Sequence, residues 1–436
     1  MPAAFTTAPA SQTASGGGGR QLIPLAMALF FAFGFCTVVI NDTLTPKLKG
    51  MFALNYAEAM LTPFVFFIAY FLVSLPAAWL LGRVGYLKTV IAGLSLTAIG
   101  ALLFTPAATL GVYEAFLGAI FVVASGVTIV QVAANPLTAV IGDPKYSHSR
   151  LTLAQAFNSV ATMVGPYIGA ELMLKGSKPV PPAASLPASV LTQLRIHEAH
   201  AMQAPFAGIA VGLILLAGLC ALFLKQSPPP PPKAHGTYRS LLTQPRLMLG
   251  VLSIFTYVGA EVAIGAMMTS YLMSPHTVGL KIEIAGKLVM FYWGGAMVGR
   301  FIGAYVLRHV RPGAVLSFCA FAAAALAATS GLTSGLAAAV AVLAIGLFNS
   351  IMFPTIFTLA IEDLGESVPQ GSGLLCLAIV GGAVVPWISG TVADTFGLAA
   401  FLAVPIVCYL WIAAYGFITR RTEPSPVGDI ALVEAG

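Results

Sequence analysis

From Gln21 to Thr419 the chain is a succession of long apolar runs separated by short polar segments. Crossing a hydrocarbon core of roughly 30 Å takes about 20 apolar residues in a helix. Twelve runs meet that length, drawn at 22–45, 59–82, 88–107, 112–136, 150–173, 204–225, 246–273, 284–307, 313–332, 335–361, 371–393 and 399–419. The expectation is an all-α membrane protein of twelve transmembrane helices. Residues 1–20 are mostly Ala, Thr, Ser and Gly, uncharged as far as residue 19, and read as a disordered cytoplasmic tail, with no cleavable leader.

The runs fall into two sets of six. Ser227 leads into five consecutive prolines, Pro228 to Pro232, followed by Lys233, His235 and Arg239. Polyproline is stiff and solvated and does not span lipid, so 226–245 is expected to be a cytoplasmic linker. It separates an N-terminal six-helix half, 21–225, from a C-terminal half, 246–420, with 421–436 as a cytoplasmic tail. A second polar stretch, 175–203, reads as an external loop, and its His197, Glu198 and His200 are not taken as a metal site.

The halves read as a weak internal repeat. Aligning 126–143 with 346–364 sets Asn135-Pro136 on Phe353-Pro354 and Gln131 opposite Asn349, and Gly165-Pro166-Tyr167 matches Val385-Pro386-Trp387. Duplicated halves with a substrate site at their interface near the midplane are how secondary transporters achieve alternating access.

Composition agrees with lipid as the main solvent: 58% of the 436 residues are hydrophobic and only 8% are charged, against about a quarter in soluble domains. Mean hydropathy is +0.92. The net charge of +6 is explained by topology. With the N-terminus inside, thirteen Lys and Arg flank the cytoplasmic ends of the spans against seven outside, the positive-inside bias. Both termini are therefore expected in the cytoplasm, and no nucleic-acid partner is invoked. Cys36, Cys220, Cys319, Cys376 and Cys408 all sit in apolar runs without CxxC spacing, so neither a disulfide frame nor a metal site is expected.

Candidate chemistry is sparse and therefore informative, because an ionisable group at mid-membrane costs several kcal/mol unless partnered. Asp42, Glu261 and Arg300 stand well inside the predicted spans, whereas all six histidines fall in predicted loops. A buried carboxylate can load a proton on one side and release it on the other, so Asp42 and Glu261 are the candidate ion-coupling groups; packing anchors are the alternative. Arg300 is a candidate cation for a gate. Gln131 and Asn135 are four apart on span 4, Gln155 and Asn158 three apart on span 5, so each pair shares a helix face. Amides donate and accept together, which suits sugar hydroxyls, and interhelical hydrogen bonding is the competing use. Of the aromatics available for sugar stacking, Tyr257 and Tyr292 are the candidates. In Gly82-Arg83-Val84-Gly85-Tyr86-Leu87-Lys88, a tight turn carries two cations; Arg83 and Lys88 are either a gating latch or topology charges.

These residues resemble the sugar branch of the major facilitator superfamily, which includes the fucose–proton symporter and the bacterial glucose/galactose transporters. The similarity runs from Leu22 to Thr419. It rests on Asn41-Asp42, Ala133-Ala134-Asn135-Pro136, Arg150-Leu151, Gln155-Ala156-Phe157-Asn158-Ser159, Tyr257-Val258-Gly259-Ala260-Glu261, Gly299-Arg300-Phe301 and Phe353-Pro354-Thr355-Ile356-Phe357. The resemblance implies the major facilitator fold and import of a hexose or deoxyhexose driven by an ion gradient, with Asp42 binding sugar or coupling the proton. The fucose symporter has a second acid immediately before its Thr-Ala-Ala-Asn-Pro run, where this chain has Gln131. That departure points away from fucose and towards the glucose/galactose subgroup, and it leaves the coupling ion open between proton and sodium.

The expected function is therefore a monosaccharide importer of the inner membrane acting as a monomer, with no cofactor and no enzymatic activity. The expected sugar-binding set is Asn41, Asp42, Gln131, Asn135, Gln155, Asn158, Tyr257, Glu261, Tyr292 and Asn349. An uncoupled facilitator and a drug exporter of the same fold are the competing readings. No Ser/His/Asp set, metal cluster or nucleotide loop occurs within the spans to support a membrane enzyme.

Overall fold

A computed structural model describes residues 19–52, 54, 58, 61–169, 188–229 and 238–420. Among them the chain is helical, and twelve long helices follow the predicted runs. They are α1 (Ile23–Val38), α2 (Leu61–Val84), α3 (Tyr86–Leu110), α4 (Tyr113–Val140), α5 (Ser147–Gly169) and α6 (Ala188–Leu222). The second set comprises α7 (Pro245–Met273), α8 (Ile282–Val306), α9 (Pro312–Leu332), α10 (Gly335–Ile361), α11 (Gly365–Phe396) and α12 (Leu398–Thr419). Ten satisfy length and apolarity for a membrane span; α5 and α8, of 23 and 25 residues, are the other two. α5 is rich in buried polar groups, among them His148, Arg150, Gln155 and Ser159, and α8 buries Arg300.

The repeat read from the sequence is visible in the packing. Within α1–α6 the close pairs include α1 with α5, α2 with α4 and α3 with α6; adding six to each label gives the close pairs of α7–α12. Across the seam, α5 packs on α8 and α11 on α2, again related by the same shift. Large apolar side chains such as Trp79, Leu215, Phe318 and Val407 are exposed on the outside of the bundle. A soluble protein would bury them; a lipid solvent does not require it. The seam instead uses small residues that let backbones approach. A Cβ at Gly373 on α11 would stand 2.6 Å from the Cβ of Ala78 on α2; the same device acts within the first half, where one at Gly34 on α1 would stand 2.3 Å from Nδ2 of Asn158 on α5.

Three expectations need correction. The stretch 175–203 is not wholly a loop, because α6 begins at Ala188 and carries His197, Glu198 and His200; charged and polar residues sit on a helix that runs beyond its apolar part. His148 is not in a loop but in the first turn of α5, and it is almost fully buried. Finally, α1 does not continue to its end as a regular helix, since Val39–Leu44, which contains Asn41 and Asp42, is a π-helical turn. Such turns are frequent at functional sites. Residues 230–237, with most of the polyproline segment, and both terminal tails beyond 19–420 lie outside the described residues.

Candidate functional site

The site grows from two prolines. Pro354 has no N–H, so in α10 the carbonyl four residues earlier, that of Ser350, is left without its helical partner. The helix is interrupted there, between Gly335–Asn349 and Met352–Ile361, and Arg300 of α8 donates from Nε to the Ser350 carbonyl at 3.1 Å. Pro136 does the same in α4. It frees the Val132 carbonyl, which accepts from Ser372 Oγ of α11 at 2.7 Å.

Arg300 is buried, 8% exposed, and its guanidinium is shared among three helices. Besides Ser350 it donates through Nη1 to Ser159 Oγ and, at 3.4 Å, to the Gln155 carbonyl on α5. Its Nη2 lies 4.0 Å from Oε1 of Glu261 on α7. The Tyr257 hydroxyl, one turn back on α7, donates to the same Oε1 at 2.8 Å. A lone cation or carboxylate at this depth costs about 2.5–3.5 kcal/mol, so the two charges hold one another in place.

The polar cluster extends along α8, α10 and α12. The Tyr292 hydroxyl donates to the Glu261 carbonyl at 3.3 Å, and Asn349 Nδ2 donates to the Tyr292 hydroxyl at 2.8 Å. Beside Asn349 stands the buried hydroxyl of Tyr409. Among the described residues, neither Asn349 Oδ1 nor the Tyr409 hydroxyl has a hydrogen-bond partner that satisfies normal geometry. Buried polar atoms left open in this way are a cost in an empty protein and an opportunity for a hydroxylated ligand.

Of the residues expected from sequence, the structure thus brings Tyr257, Glu261, Tyr292, Arg300 and Asn349 into one connected set, which Gln155 joins through its backbone carbonyl. The other amides sit apart from it. Gln131 accepts from the Tyr70 hydroxyl of α2 at 2.8 Å. Asn135 is wholly buried beside the Cys376 thiol, and among the described residues neither amide atom makes a hydrogen bond of normal geometry. Asn158 donates to the Phe30 carbonyl of α1 at 3.2 Å, using the room left by Gly34. Asn41 donates to Thr37 one turn earlier at 2.9 Å, with its Oδ1 buried and open. The side chain of Asp42 lies outside the described residues. Tyr70 and Tyr409 were missed because each lies in an apolar run with nothing to single it out, and Ser159, though part of the quoted span 5 motif, was given no role of its own.

At the end of the bundle that carries both termini, the halves are bonded together. His148 of α5 bonds through Nε2 to Glu362, just past α10, at 2.7 Å and through its other ring nitrogen to Thr358. Glu362 is also paired with Arg246 of α7, which reaches Asp363 at 2.5 Å as well. Ser149 Oγ donates to the Ala304 carbonyl of α8 at 2.5 Å and accepts from Arg308 Nε at 3.2 Å. Arg83 lies over the Trp79 ring at 4.0 Å and is exposed, as is Lys88. Among the described residues, no group of His, Cys, Asp and Glu could hold a metal ion.

Residues 25–379 match the model of the Major Facilitator Superfamily. The chain is 47% identical over 403 residues to a protein of Brucella abortus named glucose/galactose transporter, covering 90% of this chain and 93% of that protein. It is 30% identical to the L-fucose-proton symporter of Escherichia coli, covering 94% and 95%. The structure superposes on the crystal structure of the transporter FucP in the outward conformation with a TM-score of 0.84 at 28% identity, covering 93% of this chain and 100% of that one.

Proposed function

We propose that this chain, which belongs to the Major Facilitator Superfamily, imports a hexose of the glucose or galactose type in symport with a cation, the proton ahead of sodium. The observation that carries the coupling is the Glu261 carboxylate, held between Tyr257 and Arg300 while Arg300 is hydrogen-bonded across the seam to α5. Neutralising Glu261 would weaken its hold on Arg300, and Arg300 is in contact with both halves, so a change of charge in one half reaches the other. The names of the relatives support the sugar, and so do the open amide and phenol atoms of Asn41, Asn135, Asn349 and Tyr409.

In this reading Asp42 shares the coupling with Glu261, and Gln131, Asn135, Gln155, Asn158, Tyr257, Tyr292 and Asn349 meet the sugar together with Asn41. The segments 21–225 and 246–420 rock as two units about that site. The excess of Lys and Arg at the end carrying the termini sets that end in the cytoplasm of an inner membrane. The bonds of His148, Ser149 and Arg308 across the seam then make this the state closed to the cytoplasm. Arg83 and Lys88 belong to the gating surface at that end, and the working unit is a monomer.

The test is uptake of labelled glucose, galactose and fucose into proteoliposomes under separately imposed pH and sodium gradients. Accumulation of glucose or galactose with the pH gradient is expected. Uptake that never exceeds equilibration under either gradient would replace the symporter with a facilitator. Absence of any sugar uptake would reject the reading.

A further inference from the structure

The end of the bundle that carries both termini holds a polar pocket of about 730 Å³ that the transport reading does not use. It lies on the seam, with Lys145, Ser149 and Arg150 on one side and Tyr305, Arg308 and His309 of the α8 end on the other. It opens at the end of the bundle, and its deepest lining residue on α5, Leu153, lies two residues before Gln155, about 3 Å along the helix, so the pocket is next to the transport site but its charged groups are all nearer the end.

The charges in this pocket do not cancel. Three permanent cations, Lys145, Arg150 and Arg308, and the imidazole of His309 surround it, and Asp143 is the one carboxylate among its lining residues. Asp143 accepts from the Lys145 backbone N–H at 2.9 Å and its charge acts on Arg150, which still leaves the permanent cations in excess by two. Arg150 donates from Nε, Nη1 and Nη2 to the carbonyls of Thr138, Asp143 and Ala139 at 2.7, 2.9 and 2.7 Å. Those partners fix its position without neutralising it. Arg308 uses Nε on Ser149, and among the described residues its terminal nitrogens have no protein partner. Closing the halves at this end therefore gathers like charges from both of them, which repel unless an anion sits between. Tyr305, 68% exposed beside the pocket, supplies the kind of aromatic group found at headgroup depth.

We infer that this pocket binds a phosphate-bearing anion that bridges the two halves and favours the state closed at this end. Phosphate oxygens accept charge-assisted hydrogen bonds from the free nitrogens of Arg308 and from Lys145, and basic pockets between membrane helices recognise anionic headgroups in this way. The phosphate is supplied by an anionic phospholipid of that leaflet or by free phosphate.

The experiment is thermal unfolding of the full-length protein in a neutral detergent, titrated separately with dioctanoyl phosphatidylglycerol, dioctanoyl phosphatidylcholine and inorganic phosphate. A saturable rise in Tm with phosphatidylglycerol but not with phosphatidylcholine or phosphate assigns a lipid headgroup. A rise with inorganic phosphate as well assigns the free ion. In either case the Lys145→Gln/Arg308→Gln variant should bind about tenfold more weakly or worse, and Lys145→Arg/Arg308→Lys should retain the response. Both positions are exposed, so the neutral pair is expected to fold; Lys145→Gln alone provides a milder check, with an intermediate loss. No rise with phosphatidylglycerol or phosphate, or an equal rise in the doubly neutral variant, overturns the proposal.

Discussion

Two helices related by the internal repeat, α4 and α10, each carry a proline that frees a carbonyl four residues earlier, and the groups that take those carbonyls differ. On α4 the Val132 carbonyl accepts from a neutral hydroxyl, Ser372 of the opposite half. On α10 the Ser350 carbonyl accepts from Arg300, which belongs to the same half but also reaches Ser159 and Gln155 of the other and stands 4.0 Å from Glu261. One backbone device thus serves as a fixed pin in one place and as part of a charge-responsive joint in the other. The repeat supplies a symmetric scaffold; an ionisable pair on one side only is what the proposed ion coupling would act on.

The largest effect should come from removing the charge at that joint. Arg300→Met leaves Glu261 without its cation and the Ser350 carbonyl without its donor. The expected outcome is loss of transport and a fall in stability on the order of 3–5 kcal/mol, the range for breaking a buried ion pair from one side. Thermal unfolding in detergent checks it. Adding Glu261→Gln should recover part of that loss, and a double variant no more stable than Arg300→Met would show that the two groups are not coupled.

Pro354→Ala should come next. It restores an N–H that competes with Arg300 for the Ser350 carbonyl, so transport should slow by about tenfold while stability changes by no more than about 1 kcal/mol. Pro136→Ala is expected to slow it less, because only the Ser372 hydroxyl is displaced. Equal rates for the two variants would remove the distinction between pin and joint. Ser372→Ala leaves the Val132 carbonyl unsatisfied, a loss of about 1–3 kcal/mol in stability with transport retained. Tyr70→Phe should have the smallest effect, raising the apparent KM for sugar about threefold through a less well placed Gln131, roughly the worth of one neutral hydrogen bond. Initial-rate uptake measurements separate KM from maximal rate.

Much of the scaffold was legible because lipid imposes simple rules. A span needs a long apolar run, and only small residues let two helices approach, so twelve runs and the paired prolines could be read directly. Candidate site residues were legible where a polar side chain stands out against an apolar background, as Glu261 and Arg300 do. It was illegible where the partner is a backbone atom or a phenol. Nothing in the letters says that Arg300 binds the Ser350 carbonyl, and Tyr70 and Tyr409 look like any aromatic in a span. The ends of spans were the other weakness. His148 and Glu362 fell just outside the runs drawn for spans 5 and 10, yet they meet across the seam at 2.7 Å, because a buried polar pair can extend a helix past its apolar part. The cations expected as a latch, Arg83 and Lys88, are exposed, and the bonds between halves at that end come from His148, Ser149, Arg308 and Glu362.

The central claim is that the charge on Glu261 couples the ion gradient to the movement of the two halves. The most direct test compares wild type with Glu261→Gln in proteoliposomes, measuring hexose accumulation under an imposed pH gradient and hexose exchange with no gradient. The account predicts that Glu261→Gln still exchanges sugar but no longer accumulates it. Undiminished accumulation in the variant would contradict it and leave the coupling to Asp42 alone.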